Sequence, residues 1–345
     1  MRVAVVLFNL GGPSSLEAVE PFLFNLFNDA AIIRVPQPLR WLIARLISKR
    51  RAPIARAIYA KMGGSSPILG QTYNQASALR TALMGDGTTY EIFVAMRYTT
   101  PRASDITEQV RRFRPNKIVL LPLYPQFSTT TTRSSMREWQ RHARDKELTA
   151  PVSAVCCYPK DVGFITAQAA LIAEEIAKVP PNVRFRLLFS AHGLPERIVS
   201  GGDPYQAQVE DTAKALVTAL NRPDLDWRVC FQSRVGPMKW IGPSTDDEIK
   251  RAGKEGLALV VAPIAFVSEH SETLVELDME YAHLATEHGV PHYLRVPTVG
   301  THSDFIEGLA KLVRGSLEHP GTRSGSGVRL CPTKCGECAM ERKVA

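Results

Sequence analysis

Three groups of side chains in this sequence have types and spacings that could handle protons or metal ions. A histidine, His192, stands at the end of the apolar run 185–191, an acidic stretch fills 268–284, and the tail segment 331–338 carries three cysteines. An imidazole exchanges protons near neutral pH and binds borderline metals such as ferrous iron. Carboxylates bind divalent cations, and thiolates hold zinc or iron–sulfur centres. Each group therefore indicates metal or proton chemistry.

The acidic stretch "SEHSETLVELDMEYAHL" predicts a helix with Ser268 as its N-cap. Its carboxylates follow at steps of three, four and four residues, which places them on one helical face: Glu269, Glu272, Glu276 and Glu280. Such a stripe is typical of a solvated surface, and that interpretation stays open. However, Glu269, His270 and Glu272 crowd the predicted first turn directly after a buried strand, which favours a path for a divalent cation or for protons.

The cysteine-rich tail "CPTKCGECAM" carries thiols at Cys331, Cys335 and Cys338. The chain has six cysteines in 345 residues and no sign of secretion, so a disulfide framework is not expected. Thiolates at this spacing on a glycine-containing loop can turn toward one centre, as zinc and iron–sulfur sites require. The spacing alone leaves zinc, iron and chance open.

Two pairs of similar segments predict how these side chains are positioned. "VAVVLFNLGGP" (3–13) matches "FRLLFSAHGLP" (185–195), and "VLLPLYPQFSTTTT" (119–132) matches "VVAPIAFVSEHSET" (260–273). Continuous apolar runs suit parallel strands buried on both faces, and the segments between them have helical periodicity. The sequence thus predicts an α/β fold with two similar, doubly wound, Rossmann-like halves. The polar residues that end the runs are expected to share a cleft: Asn9, Tyr124, His192 and 268–273.

The predicted division is an N-terminal half over 1–165, a C-terminal half over 166–318 and a cysteine-rich tail over 319–345. Within the first half, 22–62 interleaves apolar and basic residues, and its "PLRWLIARLISKRR" predicts an amphipathic cationic helix. We call 22–62 the lip. A core-facing helix with a solvated back is one interpretation, and an apolar cover for an anionic ligand or membrane surface is the other.

Composition excludes several classes of protein. The longest nearly apolar run, 256–267, is too short to span a bilayer, which takes roughly 20 residues. The opening "MRVAVVLFNLGGP" suits a strand and turn rather than a signal peptide, so a cytoplasmic protein is expected. The formal net charge of +8 comes without zinc-finger spacing or an aromatic-studded basic repeat, so nucleic acid is not an expected partner.

Several long motifs in order resemble the ferrochelatase family. They are "FNLGGP", "GGSSPI", "MRYTTP", "YPQFSTTTTRSS", "SAHGLPERIVSGGDPY", "FQSRVGPMKWIGPSTDDEI" and "PIAFVSEHSETLVELDMEY". The resemblance covers nearly all of 3–318. It implies a lyase that inserts ferrous iron into protoporphyrin IX, with release of two protons and no catalytic cofactor, in the last step of haem synthesis.

The resemblance also implies roles for particular residues. His192 and Glu272 are the implied catalytic pair and the contacts of the substrate iron, with Glu269, His270, Glu276 and Glu280 along the path of iron or protons. The implied porphyrin-binding residues are Leu10, Arg51, Ser66, Arg97, Tyr98, Tyr124 and Trp240. One departure is Ile54, which stands where animal members carry a propionate-binding lysine.

The tail resembles the extension of those ferrochelatases that carry a 2Fe-2S cluster. The implied ligands are Cys331, Cys335, Cys338 and one internal cysteine, but the run "STTTT" lacks the internal cysteine of animal members. Cys157, or else Cys156, is the expected fourth ligand, since adjacent strand residues point to opposite faces. Cys230 lies inside an apolar run and is expected to be a core thiol.

Three alternatives stay open beside this function. The first is a coproporphyrin ferrochelatase, although those proteins usually carry a tyrosine-containing turn where this chain has "NLGGP". The second is a porphyrin- or haem-binding carrier without activity, and the third is a tail that holds structural zinc. The expected assembly is a monomer or homodimer, with a peripheral membrane surface as a further partner.

Overall fold

A computed structural model describes residues 1–234 and 236–340, which form two compact units. Unit 1 comprises Met1–Cys157, Ala310–Gly327 and residues 339–340, and unit 2 comprises Tyr158–Leu309 and Val328–Cys338. Among the described residues, no helix has the length and apolar character needed to cross a membrane.

Unit 1 contains one parallel sheet. In chain order its strands are β1 (Arg2–Asn9), β2 (Thr89–Met96), β3 (Lys117–Pro122), β4 (Val152–Val155) and, numbered after those of unit 2, β9 (Gly321–Arg323). They pair in the order β2-β1-β3-β4-β9. The helices of this unit are α1 (Val19–Phe27), α2 (Gln37–Ala60), α3 (Ile68–Ala82), α4 (Ala103–Phe113) and α5 (Thr132–Asp145).

Unit 2 contains a second parallel sheet. Its strands are β5 (Phe185–His192), β6 (Trp227–Gln232), β7 (Ala258–Pro263) and β8 (Tyr293–Arg295), which pair in the order β6-β5-β7-β8. Its helices are α6 (Val162–Ile176), α7 (Glu196–Ser200), α8 (Tyr205–Leu220), α9 (Thr245–Glu255), a π-helix (Glu272–Tyr281) and α10 (Ala282–Glu287). Helix α11 (Ser303–Leu317) carries the chain back from unit 2 to unit 1.

The two sheets share one topology, because in each the first strand lies between the second and the third. The matching sequence segments supply matching strands: 3–13 and 185–195 begin with β1 and β5, and 119–132 and 260–273 begin with β3 and β7. The prediction of two doubly wound α/β halves with parallel sheets is therefore confirmed.

Continuous apolar runs form the central strands because both faces of each sheet are covered. In β1, Val3 to Leu7 have no exposed surface, and Leu187 to Phe189 in β5 are equally buried. In unit 1 the ring of Phe8 packs edge-on against Trp139 of α5, with ring centroids 6.1 Å apart. This burial fixes where each strand ends, and so where the polar residues after it lie.

The turn after β1 needs its glycines. Gly11 has φ +85°, a left-handed conformation, and a Cβ there would lie 2.3 Å from Thr99 Oγ1. A Cβ on Gly12 would lie 2.5 Å from both Cβ and Oγ of Ser66. The "GGP" turn thus lets Ser66 and Thr99 approach the end of β1.

The segment that leads to the cysteines extends the sheet of unit 1, which the sequence did not predict. Strand β9 runs parallel to β4. The N–H of Cys156 donates to the carbonyl oxygen of Arg323 at 2.7 Å, and the N–H of Gly325 donates to the carbonyl oxygen of Cys157 at 2.7 Å. The chain therefore leaves unit 1 beside Cys157.

Candidate active site

His192 is placed by the end of β5. It is the last residue of the strand, and Gln232 of β6 is its register partner. The next residue must be small, because a Cβ on Gly193 would lie 3.0 Å from the carbonyl oxygen of Gln232 and 3.3 Å from the ring of Trp240. The strand up to Ala191 is buried, whereas the His192 side chain is 38% exposed. The fold thus presents one imidazole at the edge of a buried sheet.

Glu272 holds this imidazole. Its Oε2 lies 2.9 Å from His192 Nδ1 and 3.7 Å from His270 Nε2. Burial alone would raise the pKa of Glu272, but the two imidazoles outweigh it, His192 first, and the pKa of the carboxyl lies well below its usual range. Conversely, burial alone would lower the pKa of His192, but the Glu272 carboxylate raises it above its usual value.

The predicted acidic helix is present but differs from the prediction in its start and its type. It begins at Glu272, and the residue before it, Ser271, makes no side-chain cap, so the N-cap predicted at Ser268 is wrong. Glu269 and His270 therefore precede the helix rather than occupy its first turn. From Glu272 to Tyr281 the helix is a π-helix, whose wider turn is found frequently at functional sites.

Glu276 lies one π-turn further on and is fixed by donors that the sequence analysis missed. Its carboxylate accepts from the N–H of Ser233 at 2.8 Å, the Ser233 hydroxyl at 2.5 Å, Gln232 Nε2 at 3.1 Å and the Tyr281 hydroxyl at 3.1 Å. Burial, followed by the charge of Glu272, raises the pKa of Glu276. The position holds a carboxyl group that takes up protons more readily than a free one.

Gln232 ties this helix to the strands. Its side chain has no exposed surface; Nε2 donates to the carbonyl oxygen of Glu272 at 3.0 Å, and Oε1 accepts from Ser190 at 2.7 Å. The start of the π-helix is thereby fixed to β5 and β6. The sequence signal that could have identified Gln232 is its place at the end of a buried apolar run, directly before the turn at Ser233.

The other residues of the predicted path lie in different surroundings. His270 is 8% exposed, and its Nδ1 lies 3.2 Å from the carbonyl oxygen of Ser268. Glu269 is paired with Arg295 at 2.6 Å and accepts from the N–H of Thr298 at 2.9 Å, which places it in a partly buried ion pair. Although burial opposes the shift, Arg295 keeps the pKa of Glu269 below its usual value. Glu280 is exposed.

Trp240 lies close to the loop after His192. Residues 239–241 run antiparallel to 194–196: the N–H of Ile241 donates to the Leu194 carbonyl, and the N–H of Glu196 donates to the Lys239 carbonyl, both at 2.9 Å. The Trp240 ring lines an open cavity of about 580 Å³, together with Glu196, Arg234, Gly236, Met238 and Lys239. Its Nε1 is buried, and no hydrogen-bond acceptor for it is found among residues 1–234 and 236–340.

In unit 1, Arg97 and Tyr98 belong to a buried polar network whose acidic members the sequence analysis missed. Asp29 accepts from Arg97 Nη2 and from the Tyr98 hydroxyl, each at 2.8 Å, and also from Ser134. Arg97 further pairs with Glu138 at 3.1 Å. Tyr98 has no exposed surface, whereas the Arg97 side chain is 13% exposed. Asp29 and Glu138 therefore hold the Arg97 guanidinium in one position.

The remaining predicted porphyrin-binding residues of unit 1 surround the ends of β1 and β3. Leu10 packs on the cluster of Val19, Phe22 and Leu23 from α1. Ser66 donates its N–H to the Pro13 carbonyl at 2.8 Å. Tyr124, after β3, packs against the main core cluster, and burial raises its pKa. Asn9 donates to Thr72 at 3.0 Å, which is a structural contact.

The burial of side chains along helix α2 shows which face of the lip is exposed. Its buried residues are Ala44, Ser48, Ala52 and Tyr59, whereas the large apolar side chains are exposed: Leu39 50%, Trp41 45%, Leu42 49%, Leu46 62% and Ile54 65%. The core-facing interpretation therefore does not hold for these side chains. Arg51 lies on the same helix, with its guanidinium 6.0 Å from the Phe27 ring.

The cysteines are all buried, and none forms a disulfide. Cys156 and Cys157 lie in unit 1 with their sulfur atoms 3.8 Å apart, and Cys230 is fully buried in β6. The loop 331–338 lies in unit 2, where Arg329 donates to the carbonyl oxygens of Cys331, Pro332, Thr333 and Cys335. Within residues 1–234 and 236–340, no group of three or more His, Cys, Asp or Glu side chains is arranged as a metal site.

The site residues that come together in unit 2 are His192, His270, Glu272 and Glu276, two imidazoles and two carboxyl groups. The pKa of the Glu272 carboxyl is lowered and that of the Glu276 carboxyl is raised, so the two carboxyl groups differ in their affinity for protons. Such a group can accept protons at one position and hand them to another. Imidazole nitrogen and carboxylate oxygen are also ligand types that a borderline divalent metal ion accepts.

Comparison with known proteins gives a consistent result. The family model described as Ferrochelatase matches residues 2–317. A ferrochelatase of Caulobacter vibrioides (strain NA1000 / CB15N) is 53% identical over 338 residues, 97% of this chain and 95% of that protein. A ferrochelatase of Pelagibacter ubique (strain HTCC1062) is 48% identical over 341 residues, 98% of each chain.

Solved structures show the same fold at low identity. The sirohydrochlorin chelatase SirB from Bacillus subtilis subspecies spizizenii, in complex with cobalt, is similar with a TM-score of 0.55 and 12% identity, over 93% of this chain and 97% of that one. SirB from Bacillus subtilis with Fe³⁺ gives 0.52 and 14%, over 92% and 96%.

Proposed function

The chain belongs to the ferrochelatase family and is an iron chelatase, a lyase of haem biosynthesis; from this premise we propose that it inserts ferrous iron into protoporphyrin IX to form protohaem. The observation that carries the proposal is the pair formed by His192 and Glu272, 2.9 Å apart at the end of a buried strand. Iron and the porphyrin are both substrates, and no catalytic cofactor takes part.

His192 acts on the protons of the porphyrin. The ring must lose two pyrrole N–H protons as Fe²⁺ enters, and the released products are Fe-porphyrin and two H⁺. His192 Nε2 accepts a proton while Nδ1 stays bonded to Glu272, so the carboxylate stabilises the imidazolium that forms. His192 and Glu272 are also the proposed contacts of the incoming iron.

Glu276 provides the next position for a proton. Its raised pKa, beside a Glu272 whose pKa is lowered, makes it the carboxyl group of this pair that is easier to protonate. His270, 3.7 Å from Glu272, adds a second imidazole. Glu280 is exposed and lies at the outer end of the proposed path. Glu269 acts on the path indirectly, through its ion pair with Arg295.

The proposed porphyrin-binding residues divide by chemistry. Leu10 and Trp240 offer apolar surface to the macrocycle, and Arg97, held by Asp29 and Glu138, offers a fixed cation beside Tyr124. Arg51 and Ser66 bind the propionates. Ile54 supplies no charge, so Arg51 is the cation proposed at that point of the lip.

The exposed apolar face of the lip supports protoporphyrin over coproporphyrin. Protoporphyrin presents two vinyl groups where coproporphyrin has two more carboxylates, and Leu39, Leu42 and Leu46 are uncharged and 49–62% exposed. The turn "NLGGP" supports the same choice. The basic residues between these leucines also suit an anionic lipid surface, and we propose peripheral membrane association of a cytoplasmic monomer or homodimer.

We further propose that the tail holds a 2Fe-2S cluster. Buried thiols on one loop are the correct donor type, and Cys331, Cys335 and Cys338 would be joined by Cys157, beside which the chain leaves unit 1. Cys156 is the alternative fourth ligand, and structural zinc is the alternative metal. When bound, such a cluster would supply one-electron chemistry or would cross-link the segments that carry its cysteine ligands. Residues 319–345 then act as a cluster-binding extension of the halves 1–165 and 166–318.

The direct test is anaerobic turnover with Fe²⁺ and either protoporphyrin IX or coproporphyrin III. The expected result is a kcat/KM at least about tenfold higher for protoporphyrin IX. A preference for coproporphyrin III would assign the chain to that branch of chelatases. Binding of porphyrin without turnover of either would indicate a carrier.

A further inference from the structure

We infer that Tyr281 and Asp246 form a proton exit from the active site, in which the Tyr281 hydroxyl passes a proton from Glu276 to Asp246. All three residues lie in unit 2. The inference rests on the proposed role of Glu276 as a proton acceptor, and it adds the step by which that proton leaves. This route is separate from the acidic face that leads to Glu280 on the same helix.

The Tyr281 hydroxyl lies between two carboxyl groups. Its oxygen is 3.1 Å from Glu276 Oε1 and 3.2 Å from Asp246 Oδ2. A phenol has one hydrogen, so it donates to only one of these carboxyl groups at a time. The other contact is favourable only when that carboxyl carries a proton and donates it to the phenol oxygen. The geometry therefore suits three groups that share two hydrogens.

The proton transfer reverses the direction of both hydrogen bonds. When Glu276 holds the proton, it donates to the Tyr281 oxygen, and Tyr281 donates to Asp246. The Glu276 proton then moves to the phenol oxygen while the phenol hydrogen moves to Asp246 Oδ2. The products are a Glu276 carboxylate, a neutral Tyr281 and a protonated Asp246, and no electrons are transferred. Burial, followed by the charges of Glu276 and Asp246, raises the pKa of Tyr281, which keeps the phenol neutral at both ends of the step.

The Glu276 end of the route is held by fixed donors. Glu276 Oε1 accepts from the N–H of Ser233 at 2.8 Å, and Oε2 accepts from the Ser233 hydroxyl at 2.5 Å and from Gln232 Nε2 at 3.1 Å. Gln232 Nε2 also donates to the carbonyl oxygen of Glu272 at 3.0 Å, so the carboxyl of Glu276 is placed relative to the proposed catalytic pair. These donors stabilise the carboxylate that remains after the proton has moved to Tyr281.

The Asp246 end of the route belongs to a different helix. Asp246 lies in the first turn of α9 and is partly exposed, so a proton that reaches it can pass to water. Tyr281 itself is 6% exposed and separates this carboxyl from that of Glu276. Glu276 is also partly exposed, and loss of its proton directly to water is the competing route.

The packing of Tyr281 allows its hydroxyl to be removed alone. The ring belongs to the core cluster of Leu188, Ile249 and Leu277, and Tyr281→Phe keeps these apolar contacts. Tyr293 is a matched control, because it packs against the same cluster and its hydroxyl donates to the Leu277 carbonyl at 2.8 Å instead of contacting a carboxyl group. Both changes thus remove one phenol hydroxyl beside the π-helix.

The experiment measures anaerobic kcat for iron insertion by the full-length protein at increasing concentrations of the buffer MES. Tyr281→Phe and Asp246→Asn should each lower kcat about three- to tenfold at low buffer, with porphyrin affinity unchanged, and added buffer should restore the rate because it carries the proton instead. The double variant should lose no more than the larger single loss, since both residues serve one route.

The controls separate a proton route from a structural effect. The wild type should show no dependence on buffer concentration, and any loss of rate in Tyr293→Phe should not be restored by buffer. Asp247→Asn is the control for Asp246→Asn, because Asp247 is the next residue of the same turn, is exposed and contacts Ser244. Its kcat should match that of the wild type.

A second readout, infrared absorption, does not depend on chelatase activity. The shared arrangement requires one protonated carboxyl among Glu276 and Asp246 in the protein without substrates. Its C=O band should be present in the wild type at neutral pH, should be lost in Glu276→Gln and should move in Tyr281→Phe, where the carboxyl loses its phenol partner. Tyr293→Phe should leave the band in place.

Three results would overturn the inference. Wild-type kcat in Tyr281→Phe at low buffer would show that Glu276 loses its proton by another route. A loss of kcat that buffer does not restore would give Tyr281 a structural role only. Absence of the carboxyl band from the wild type would refute the shared proton. If the wild type lacks iron insertion, the proposed function fails, but the infrared band still decides whether Glu276, Tyr281 and Asp246 share a proton.

Discussion

His192 Nδ1 lies 2.9 Å from Glu272 Oε2, and this contact raises the pKa of the imidazole while it lowers that of the carboxyl. The two groups are 80 residues apart in the chain and are brought together because β5 ends at one and the π-helix begins at the other. The pair therefore sets both the orientation and the proton affinity of the proposed base.

Glu272→Gln should change the pH dependence of turnover. His192 must be neutral to accept a proton, so the rate rises as pH increases through its pKa, which Glu272 holds above the usual value. Without the carboxylate this pKa falls, and the acid limb of the kcat profile should move to lower pH, while the maximal rate falls about tenfold or more. The measurement is kcat for iron insertion against pH.

Glu280→Gln is the matched control, because Glu280 lies on the same helix but is exposed. Its acid limb should coincide with that of the wild type. If both variants gave the same small effect, the acidic stripe would be a solvated helix face after all.

Asp29→Asn should destabilise the fold. The carboxylate is 8% exposed and accepts from Arg97, Tyr98 and Ser134, so the change leaves a buried guanidinium without one of its partners. The expected loss in the free energy of unfolding is about 2–4 kcal/mol, measured by urea denaturation. Asp145→Asn, at an exposed side chain, should leave the midpoint unchanged. Equal midpoints for the two variants would contradict a structural role for Asp29.

Replacing Trp41, Leu42 and Leu46 together by serine should weaken both porphyrin binding and binding to anionic vesicles. These side chains are 45–62% exposed, so the thermal midpoint should stay within a few degrees of the wild type. Met84→Ser changes an apolar side chain that is 67% exposed outside the lip and should affect neither kind of binding. A large drop in the midpoint would show that the lip side chains support the core.

Cys157→Ser should yield a colourless protein, whereas the wild type should be red-brown and bleach with dithionite. Cys230→Ser is the control and should keep the colour, because Cys230 is enclosed in β6. Loss of colour in Cys156→Ser instead would make Cys156 the fourth ligand. A colourless, zinc-containing wild type would refute the cluster.

The central strands could be predicted from sequence because burial on both faces leaves continuous apolar runs, as in β1 and β5. The π-helix could not, since steps of four between Glu272, Glu276 and Glu280 suit an α-helix as well. The network around Arg97 was missed because Asp29 lies 68 residues away in the chain. Gln232 was missed because a lone amide carries no spacing signal.

Iron insertion by His192→Ala tests the central claim most directly. The measurement is anaerobic kcat with Fe²⁺ and protoporphyrin IX, together with porphyrin affinity by fluorescence, for the wild type and the variant. The account predicts that the variant binds porphyrin within about twofold of the wild type, while its kcat falls at least about a hundredfold. A variant that kept a tenth of the wild-type kcat would contradict the role of His192 as the group that accepts the pyrrole protons.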